Sequence, residues 1–214
     1  MKITVYSAKG SAGKTPIATN IALDKGYALG TNELYHIFDS FFPEERLLPI
    51  EPHEKFPQIP DNIDIVFDLA GSISKQSPSI SSAITQSDVV IVPIYNEIKS
   101  LNAGIHTILE VSSFTKNILV IATKLQKQKN DVFNTWDESL DFKNIEKMVN
   151  ANIDFKVPIL PLKFSKVFDM IFEKEKSINQ IIEEDALAKY TYRDVATQFN
   201  NIYTFIEKHY ASKK

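Results

Sequence analysis

The amino-acid sequence predicts an α/β protein with a doubly wound, mostly parallel sheet that carries helices on both faces. Three observations support this prediction. Apolar runs without polar alternation recur along the chain, which is typical of strands covered on both faces. Stretches with helical periodicity separate these runs, as in a parallel sheet with crossover helices. The 214 residues suffice for a single domain of this kind over residues 1–214.

The individual elements follow from these patterns. The apolar runs predict strands at 3–6, 34–38, 63–67, 89–94, 118–122 and 157–160. The intervening periodicity predicts helices at 15–28, 76–86, 97–114, 138–150, 166–183 and 186–209. Prolines are concentrated in the segment 43–60, which is therefore expected to be irregular or to hold only a short helix.

Composition excludes several classes of function. The chain has no cysteine, which excludes disulfides, thiolate metal sites, iron–sulfur clusters and cysteine nucleophiles. No apolar run has the length of a membrane span and the N-terminus lacks a signal-peptide pattern, so we expect a cytoplasmic protein. The formal net charge of −3 provides no overall attraction to nucleic acid.

A glycine-rich loop follows the first predicted strand. Residues 9–15 read Lys-Gly-Ser-Ala-Gly-Lys-Thr. Backbone N–H groups of such a loop surround phosphate oxygens, and the next helix adds the partial positive charge of its N-terminus. We expect Lys14 to reach the terminal phosphates and the Thr15 hydroxyl to hold Mg²⁺. The alternative is an ordinary glycine-containing turn, which does not require the Lys-Thr pair. Lys9 is a further unusual feature, because the general pattern of phosphate-binding loops does not require a lysine at this position.

Two aspartates follow predicted strands. Asp68 ends the run 63–67, where a carboxylate can hold Mg²⁺ through water beside bound phosphates. Asp39 follows the run 34–38 in the same way and is a candidate for facing the metal or for orienting the attacking water. The alternatives are a helix N-cap or loop acid for Asp68 and an Asx-turn for Asp39.

With these residues in place, the chain resembles the ParA/MinD family of deviant Walker-type P-loop ATPases, and ParA most of all. The loop 9–15 is similar to the family's Lys-Gly-Gly-x-Gly-Lys-Thr/Ser, with Ser11 at the second glycine. Residues 68–71 resemble its Walker B segment and second switch. Further similar segments, in the family's order, are 88–93, 102–104, 159–162, 168–170 and 176–178.

The resemblance implies ATP and Mg²⁺ as cofactors and an ATP-dependent homodimer in which Lys9 reaches the partner's ATP. It implies catalytic roles for Lys9, Lys14 and Asp39, and metal binding by Thr15, Asp39 and Asp68. The implied nucleotide contacts are Lys9, Gly10, Ser11, Ala12, Gly13, Lys14, Thr15, Pro16, Thr123, Lys124, Pro161 and Leu162.

Two departures from the family pattern predict slow or altered hydrolysis. Phe41 stands where the family has the second acid of its Asp-x-Asp-Pro segment. Pro16 replaces a threonine or serine, so the chain lacks an N–H and a hydroxyl that normally help to hold phosphate.

The resemblance implies a slow partition ATPase whose ATP-bound dimer binds DNA non-specifically and works with a ParB-like or other small DNA-binding partner. The alternatives are a MinD-like positioning ATPase for a non-DNA cargo or membrane complex, a nucleotide-dependent scaffold with little hydrolysis, and a kinase-like or ligase-like synthase. A candidate DNA-facing patch, or else a set of solvated helix faces, consists of Lys163, Lys166, Lys174, Lys176, Lys189 and Lys208.

The last predicted helix carries an apolar stripe of Val195, Phe199, Ile202 and Ile206. The pattern favours packing on the protein's own sheet over a membrane-surface helix, because Glu207 interrupts the stripe and the last residues lack bulky apolar anchors. Membrane binding is therefore not expected.

Overall fold

A central parallel sheet organises the chain in the computed structural model, which describes residues 1–71, 77–129 and 131–211. Within these ranges the sheet has seven strands in the order β3-β2-β4-β1-β5-β6-β7, all parallel. The strands are β1 (Lys2–Val5), β2 (Ala28–Thr31), β3 (Leu47–Pro49), β4 (Ile65–Asp68), β5 (Val89–Ile94), β6 (Ile118–Leu125) and β7 (Ile159–Lys163).

Helices cover both faces of this sheet. They are α1 (Lys14–Lys25), α2 (Pro78–Thr85), α3 (Ile98–Val111), α4 (Leu140–Asn152), α5 (Val167–Lys174), α6 (Ile178–Glu184) and α7 (Ala186–Tyr210). Apolar side chains of α1, α5, α6 and α7 form one buried core against the sheet, and those of α2, α3 and α4 form a second core. The predicted doubly wound α/β architecture is therefore confirmed.

The second strand was predicted in the wrong place. It is β2 rather than 34–38, because Gly26 ends α1 in a left-handed conformation with a φ of 68° and the chain enters the sheet at once. Gly30 fits there because a Cβ would lie only 2.8 Å from the Phe67 ring. Leu34 and Ile37 of the predicted strand are instead 61% and 57% exposed.

Other differences concern the ends and continuity of elements. The predicted helix 166–183 is two helices, α5 and α6, because the chain turns at Glu175 with a φ of 54°. The proline-rich segment contains the short edge strand β3 after a 3-10 turn at Glu44–Arg46, and this strand was not predicted. The predicted start of the second helix, at residue 76, lies outside the described residues.

The apolar stripe of α7 packs inside the protein, as predicted. Val195, Phe199, Ile202 and Ile206 are each at most 3% exposed and belong to the core shared with α1. Among the described helices, none combines the length and apolar character that crossing a membrane requires.

Candidate functional site

The phosphate-type loop joins β1 to α1 at the carboxyl edge of the sheet. Gly13, which precedes α1, has a φ of 94°, and Ser11 has a φ of 60°. Glycine adopts this left-handed backbone more easily than serine does, so Ser11 holds a conformation suited to the glycine of the family pattern. The Thr123 hydroxyl donates to the Ala12 carbonyl at 3.0 Å and ties the loop to β6.

Lys14 lies at the base of this loop with only 6% of its surface exposed. Its ammonium donates to the Lys9 carbonyl at 3.3 Å. Burial lowers the pKa of Lys14, while the negative charges of Asp68 and Glu33 oppose this shift. Within the described part of the chain the lysine is therefore a largely desolvated cation with one neutral acceptor, which favours a phosphate oxygen as an additional partner.

Gly71 lies directly against this ammonium. A Cβ at Gly71 would lie 2.9 Å from Lys14 Nζ and 2.6 Å from the Ser7 carbonyl oxygen. The second distance is shorter than any tolerated contact with backbone, so the site requires glycine here. The peptide between Ala70 and Gly71 thereby approaches the position of the lysine head.

Asp68 is a fully buried carboxylate at the end of β4. Neither of its oxygens meets a hydrogen-bond partner among the described residues. Burial raises its pKa to about 7, although the Thr15 hydroxyl and the Lys14 ammonium act in the opposite direction. The Thr15 hydroxyl is thus near enough to lower the pKa of Asp68 without satisfying its oxygens.

These two side chains fit a magnesium site of the kind predicted. A hydroxyl beside an unsatisfied carboxylate is an all-oxygen donor set, which Mg²⁺ prefers together with water and phosphate oxygens. Within the described ranges, no group of three or more histidine, aspartate and glutamate side chains could hold a metal ion. Magnesium would therefore depend on a bound phosphate for part of its coordination.

A cavity of about 700 Å³ opens over the loop. One wall comes from residues 32–35, Pro52 and residues 70–71, which follow β2, β3 and β4. The other comes from residues 123–124, at β6, and from Leu162, Phe164, Ser165, Phe168 and Asp169. The predicted nucleotide contacts that line it are Gly10, Ser11, Gly13, Lys14, Thr15, Pro16, Thr123, Lys124 and Leu162. The other predicted site residues, which are not among the described lining residues, are Lys9, Ala12, Asp39, Asp68 and Pro161.

The predicted position of Asp39 at a strand end is wrong. Asp39 is exposed in the 3-10 turn Phe38–Ser40, with its carboxylate 3.9 Å from the His36 ring nitrogen. Phe41, predicted at the place of a family acid, packs its ring 6.0 Å from that of Phe172, away from the lining of the cavity. Both displacements follow from the earlier end of β2.

The residues that follow β2 occupy the place predicted for Asp39. Thr31, the last residue of β2, is in register with Asp68. Asn32 and Glu33 come next and line the cavity. The negative charge of the half-buried Glu33 opposes the lowering of the Lys14 pKa by burial and adds to the raising of the Asp68 pKa by burial. The helix-ending Gly26 was the sequence signal that could have located this strand and therefore these residues.

The predicted lysine patch is partly neutralised. Lys163 lies 3.5 Å from Asp194, and Lys176 lies 2.7 Å from Glu184. The remaining members, Lys166, Lys174, Lys189 and Lys208, are exposed.

Solved structures share this architecture over nearly the full length of the chain. The cell division ATPase MinD of Pyrococcus furiosus matches with a TM-score of 0.60 and 14% identity, covering 94% of this chain and 99% of that one. A Cyanothece McdA–ATP complex matches with a TM-score of 0.58 and 13% identity over 94% and 95%. A Borrelia burgdorferi plasmid partition protein bound to AMPPNP matches with a TM-score of 0.55 and 15% identity over 93% and 98%.

No family model matches the sequence, and comparison with curated proteins gave no match. At these low identities the structural likeness establishes the fold. The chain has the fold of MinD, McdA and plasmid partition proteins, as its resemblance to the ParA/MinD family implies.

Proposed function

We propose that this chain is a Mg²⁺-dependent ATPase that forms a homodimer around ATP and uses that dimer to position a cargo, with DNA as the favoured cargo. One observation carries the proposal. The buried Lys14 and the unsatisfied Asp68 lie beside the loop under a cavity of about 700 Å³. This combination binds phosphate and a divalent cation, and the cavity leaves room for the rest of a nucleotide.

The phosphate end of the nucleotide belongs at the loop and the N-terminus of α1. There the backbone N–H groups, the helix dipole and Lys14 attract negative charge. Thr15 and Asp68 would hold Mg²⁺, which when bound neutralises phosphate charge and so lowers the barrier to attack by water. Pro16 contributes no N–H or hydroxyl, and slow turnover follows from this loss.

The base belongs in the opposite half of the cavity. Thr123, Lys124 and Leu162 line this half together with the aromatic rings of Phe164 and Phe168. Flat apolar surfaces of this kind pack against a purine ring. The structures of McdA with ATP and of the Borrelia partition protein with AMPPNP support adenine as the base.

Lys9 supports the dimeric form of the proposal. It is not among the described residues that line its own chain's cavity, although it is part of the loop. Its carbonyl accepts from Lys14, so the loop fixes the backbone of Lys9 while the side chain remains available for a partner. A lysine delivered across a dimer would stabilise transition-state charge as an arginine finger does.

Glu33 replaces Asp39 in this proposal as the acid that orients the attacking water. We expect Glu33→Gln to lower kcat by about 10²-fold, within the range for loss of a general base, while ATP affinity stays within about threefold. Asp39→Asn is the matched control, since it neutralises an exposed carboxylate of the same connecting segment. Single-turnover and steady-state ATP hydrolysis measure both variants. A large loss of kcat in Asp39→Asn with no loss in Glu33→Gln would contradict this assignment and show that Asp39 orients the attacking water.

The cargo is tested separately from the ATPase. Dimerisation would double the exposed lysines of the C-terminal third, so we expect ATP-dependent DNA retardation that falls steeply with salt, with a slope of about −0.9 per phosphate neutralised. Lys166→Ala with Lys189→Ala should reduce that slope and leave ATP binding unchanged. Lys143→Ala, at an exposed lysine of α4, is the control.

The second candidate is a MinD-like protein that positions a non-DNA cargo or a membrane complex, which the likeness to MinD favours. No DNA retardation at low salt, together with ATP-dependent pelleting with anionic liposomes, would support that candidate and contradict the DNA proposal. The apolar stripe of α7 would not be the membrane anchor of such a protein, because its side chains are buried in the core.

A further inference from the structure

Asn32 is a fully buried side chain directly after β2, and its side-chain amide makes two contacts of different kinds. Its Oδ1 accepts from the Ala70 backbone N–H at 2.8 Å. Its Nδ2 donates to the Ser79 hydroxyl at 2.7 Å. One side chain therefore connects the end of β2, the segment after β4 and the start of α2.

The orientation of this amide is fixed by its surroundings. The Ala70 backbone N–H can only donate, so it must face the amide oxygen of Asn32 and not the nitrogen. The nitrogen consequently points at Ser79 and makes that hydroxyl an acceptor. A hydroxyl that accepts keeps one proton to donate onward.

The hydroxyls of Ser79 and Ser77 connect this contact to the Pro52 carbonyl. The Ser79 and Ser77 hydroxyl oxygens are 2.8 Å apart, and Ser77 donates to the Pro52 carbonyl at 2.5 Å. The Ser79 hydroxyl oxygen also lies 3.0 Å from the Pro52 carbonyl oxygen, so its proton reaches that carbonyl directly or through Ser77. Ser77 and Ser79 are 4% and 0% exposed, so water does not compete for these groups. We call the chain Ala70–Asn32–Ser79–Ser77–Pro52 the asparagine relay.

Both ends of the asparagine relay lie at the cavity. Ala70 and Pro52 line it, as does Asn32 itself. The peptide after Ala70 lies against Lys14 Nζ, since a Cβ at Gly71 would be 2.9 Å from that atom. The relay therefore holds the backbone that borders the head of the phosphate-binding lysine, and it joins this backbone to the wall at Pro52.

We propose that Asn32 is a positioning residue that sets the Ala70–Gly71 peptide for the terminal phosphate and couples it, through Ser79 and Ser77, to the Pro52 wall. The inference rests on the proposed ATPase function. It concerns the terminal phosphate alone, because the relay reaches the Lys14 side of the cavity and not the opposite wall at Thr123 and Leu162.

The test compares ADP with a non-hydrolysable ATP analogue, both with Mg²⁺, by calorimetry. Asn32→Ala should weaken the analogue at least tenfold, leave ADP affinity within about twofold and lower kcat at least tenfold. Ser79→Ala keeps the contact between Asn32 and Ala70 and interrupts only the onward relay. It should therefore lower the ratio of analogue affinity to ADP affinity by about threefold. Ser79→Ala also provides the test if Asn32→Ala does not fold.

Ser82→Ala is the matched control on α2. Its hydroxyl accepts from the Phe56 backbone N–H at 2.9 Å and so also joins α2 to the segment of residues 50–59, but it does not contact Asn32. This variant should leave the analogue-to-ADP ratio unchanged. Equal losses for both nucleotides, or an unchanged ratio in folded Asn32→Ala and Ser79→Ala, would overturn the inference. Failure of the wild type to bind either nucleotide would instead overturn the proposed function.

Discussion

Lys14→Ala is expected to lower the affinity for Mg²⁺-ATP by more than tenfold. The lysine is 6% exposed and donates to the Lys9 carbonyl, so its ammonium is held at the base of the loop, where we propose that the phosphates bind. A charge-assisted hydrogen bond of this kind contributes about 1.5–3 kcal/mol, which corresponds to a factor of roughly 10 to 150 in affinity. Calorimetric titration of the wild type and the variant measures the difference.

Two comparisons make this result specific. Lys143→Ala removes an exposed lysine of α4 and should not change ATP affinity. Circular dichroism should show that Lys14→Ala remains folded. Burial of the charged lysine is unfavourable, as its lowered pKa indicates, so replacing it with alanine removes that cost. Equal ATP affinity in the wild type and folded Lys14→Ala would show that the loop does not bind the phosphates.

The stability of the nucleotide-free protein is expected to fall between about pH 4 and pH 7 because of Asp68. Burial raises the pKa of this carboxyl from 3.8 to about 7. In that interval the folded state keeps a proton that the unfolded state has released. The folded state therefore binds more protons, and the free energy of unfolding decreases as the pH rises.

The size of this effect follows from the shift in pKa. One pKa unit corresponds to 1.36 kcal/mol, so the loss from Asp68 is at most about 4 kcal/mol and is complete above pH 7. Urea unfolding at pH 5 and pH 8, with a chelator present, measures the part of the loss that falls between these two pH values. Asp68→Asn cannot ionise, so its stability should exceed that of the wild type increasingly as the pH rises. Asp137→Asn, at an exposed aspartate, should follow the wild type.

Parallel pH profiles for the wild type and Asp68→Asn would contradict this prediction. They would mean that burial does not raise the pKa of Asp68 in the folded protein. Addition of Mg²⁺ and an ATP analogue should reduce the pH dependence of the wild type, since a bound cation favours the ionised carboxylate.

The fold could be predicted because its signals are local. Strands such as β5, buried on both faces, read as uninterrupted apolar runs, and the loop before α1 carries its own sequence pattern. Asp68 was placed correctly at a strand end for the same reason: the three residues that precede it in β4, Ile65–Phe67, are all apolar.

The second strand could not be predicted from apolar character, and the acid beside the site was misassigned with it. β2 contains Gly30 and Thr31, whereas the segment 34–38 is richer in apolar residues, most of them exposed. Besides Gly26, which ends α1, tertiary packing fixes β2: the Phe67 and Phe56 rings fill the space where a side chain at Gly30 would lie. Because the strand ends at Thr31, the site receives Asn32 and Glu33, while Asp39 lies exposed in the turn Phe38–Ser40.

The asparagine relay was also beyond sequence analysis. Its members are separated by up to 47 residues, as between Asn32 and Ser79, and each is an ordinary polar residue in its own segment. Only the tertiary fold, which places the start of α2 beside the residues that follow β2 and β4, brings them into hydrogen-bond distance. Burial then strengthens these hydrogen bonds because water does not compete for the groups, and no single segment of the sequence encodes that burial.

The molar mass with and without nucleotide tests most directly whether this protein works as an ATP-dependent dimer. Light scattering of the wild type with Mg²⁺ and a non-hydrolysable ATP analogue should show a doubling from the 24.3 kDa of a single chain, with ADP leaving the mass unchanged. Lys9→Ala should still bind the analogue but hydrolyse ATP more slowly. A protein that binds the analogue and remains at the mass of one chain would contradict the proposed mechanism.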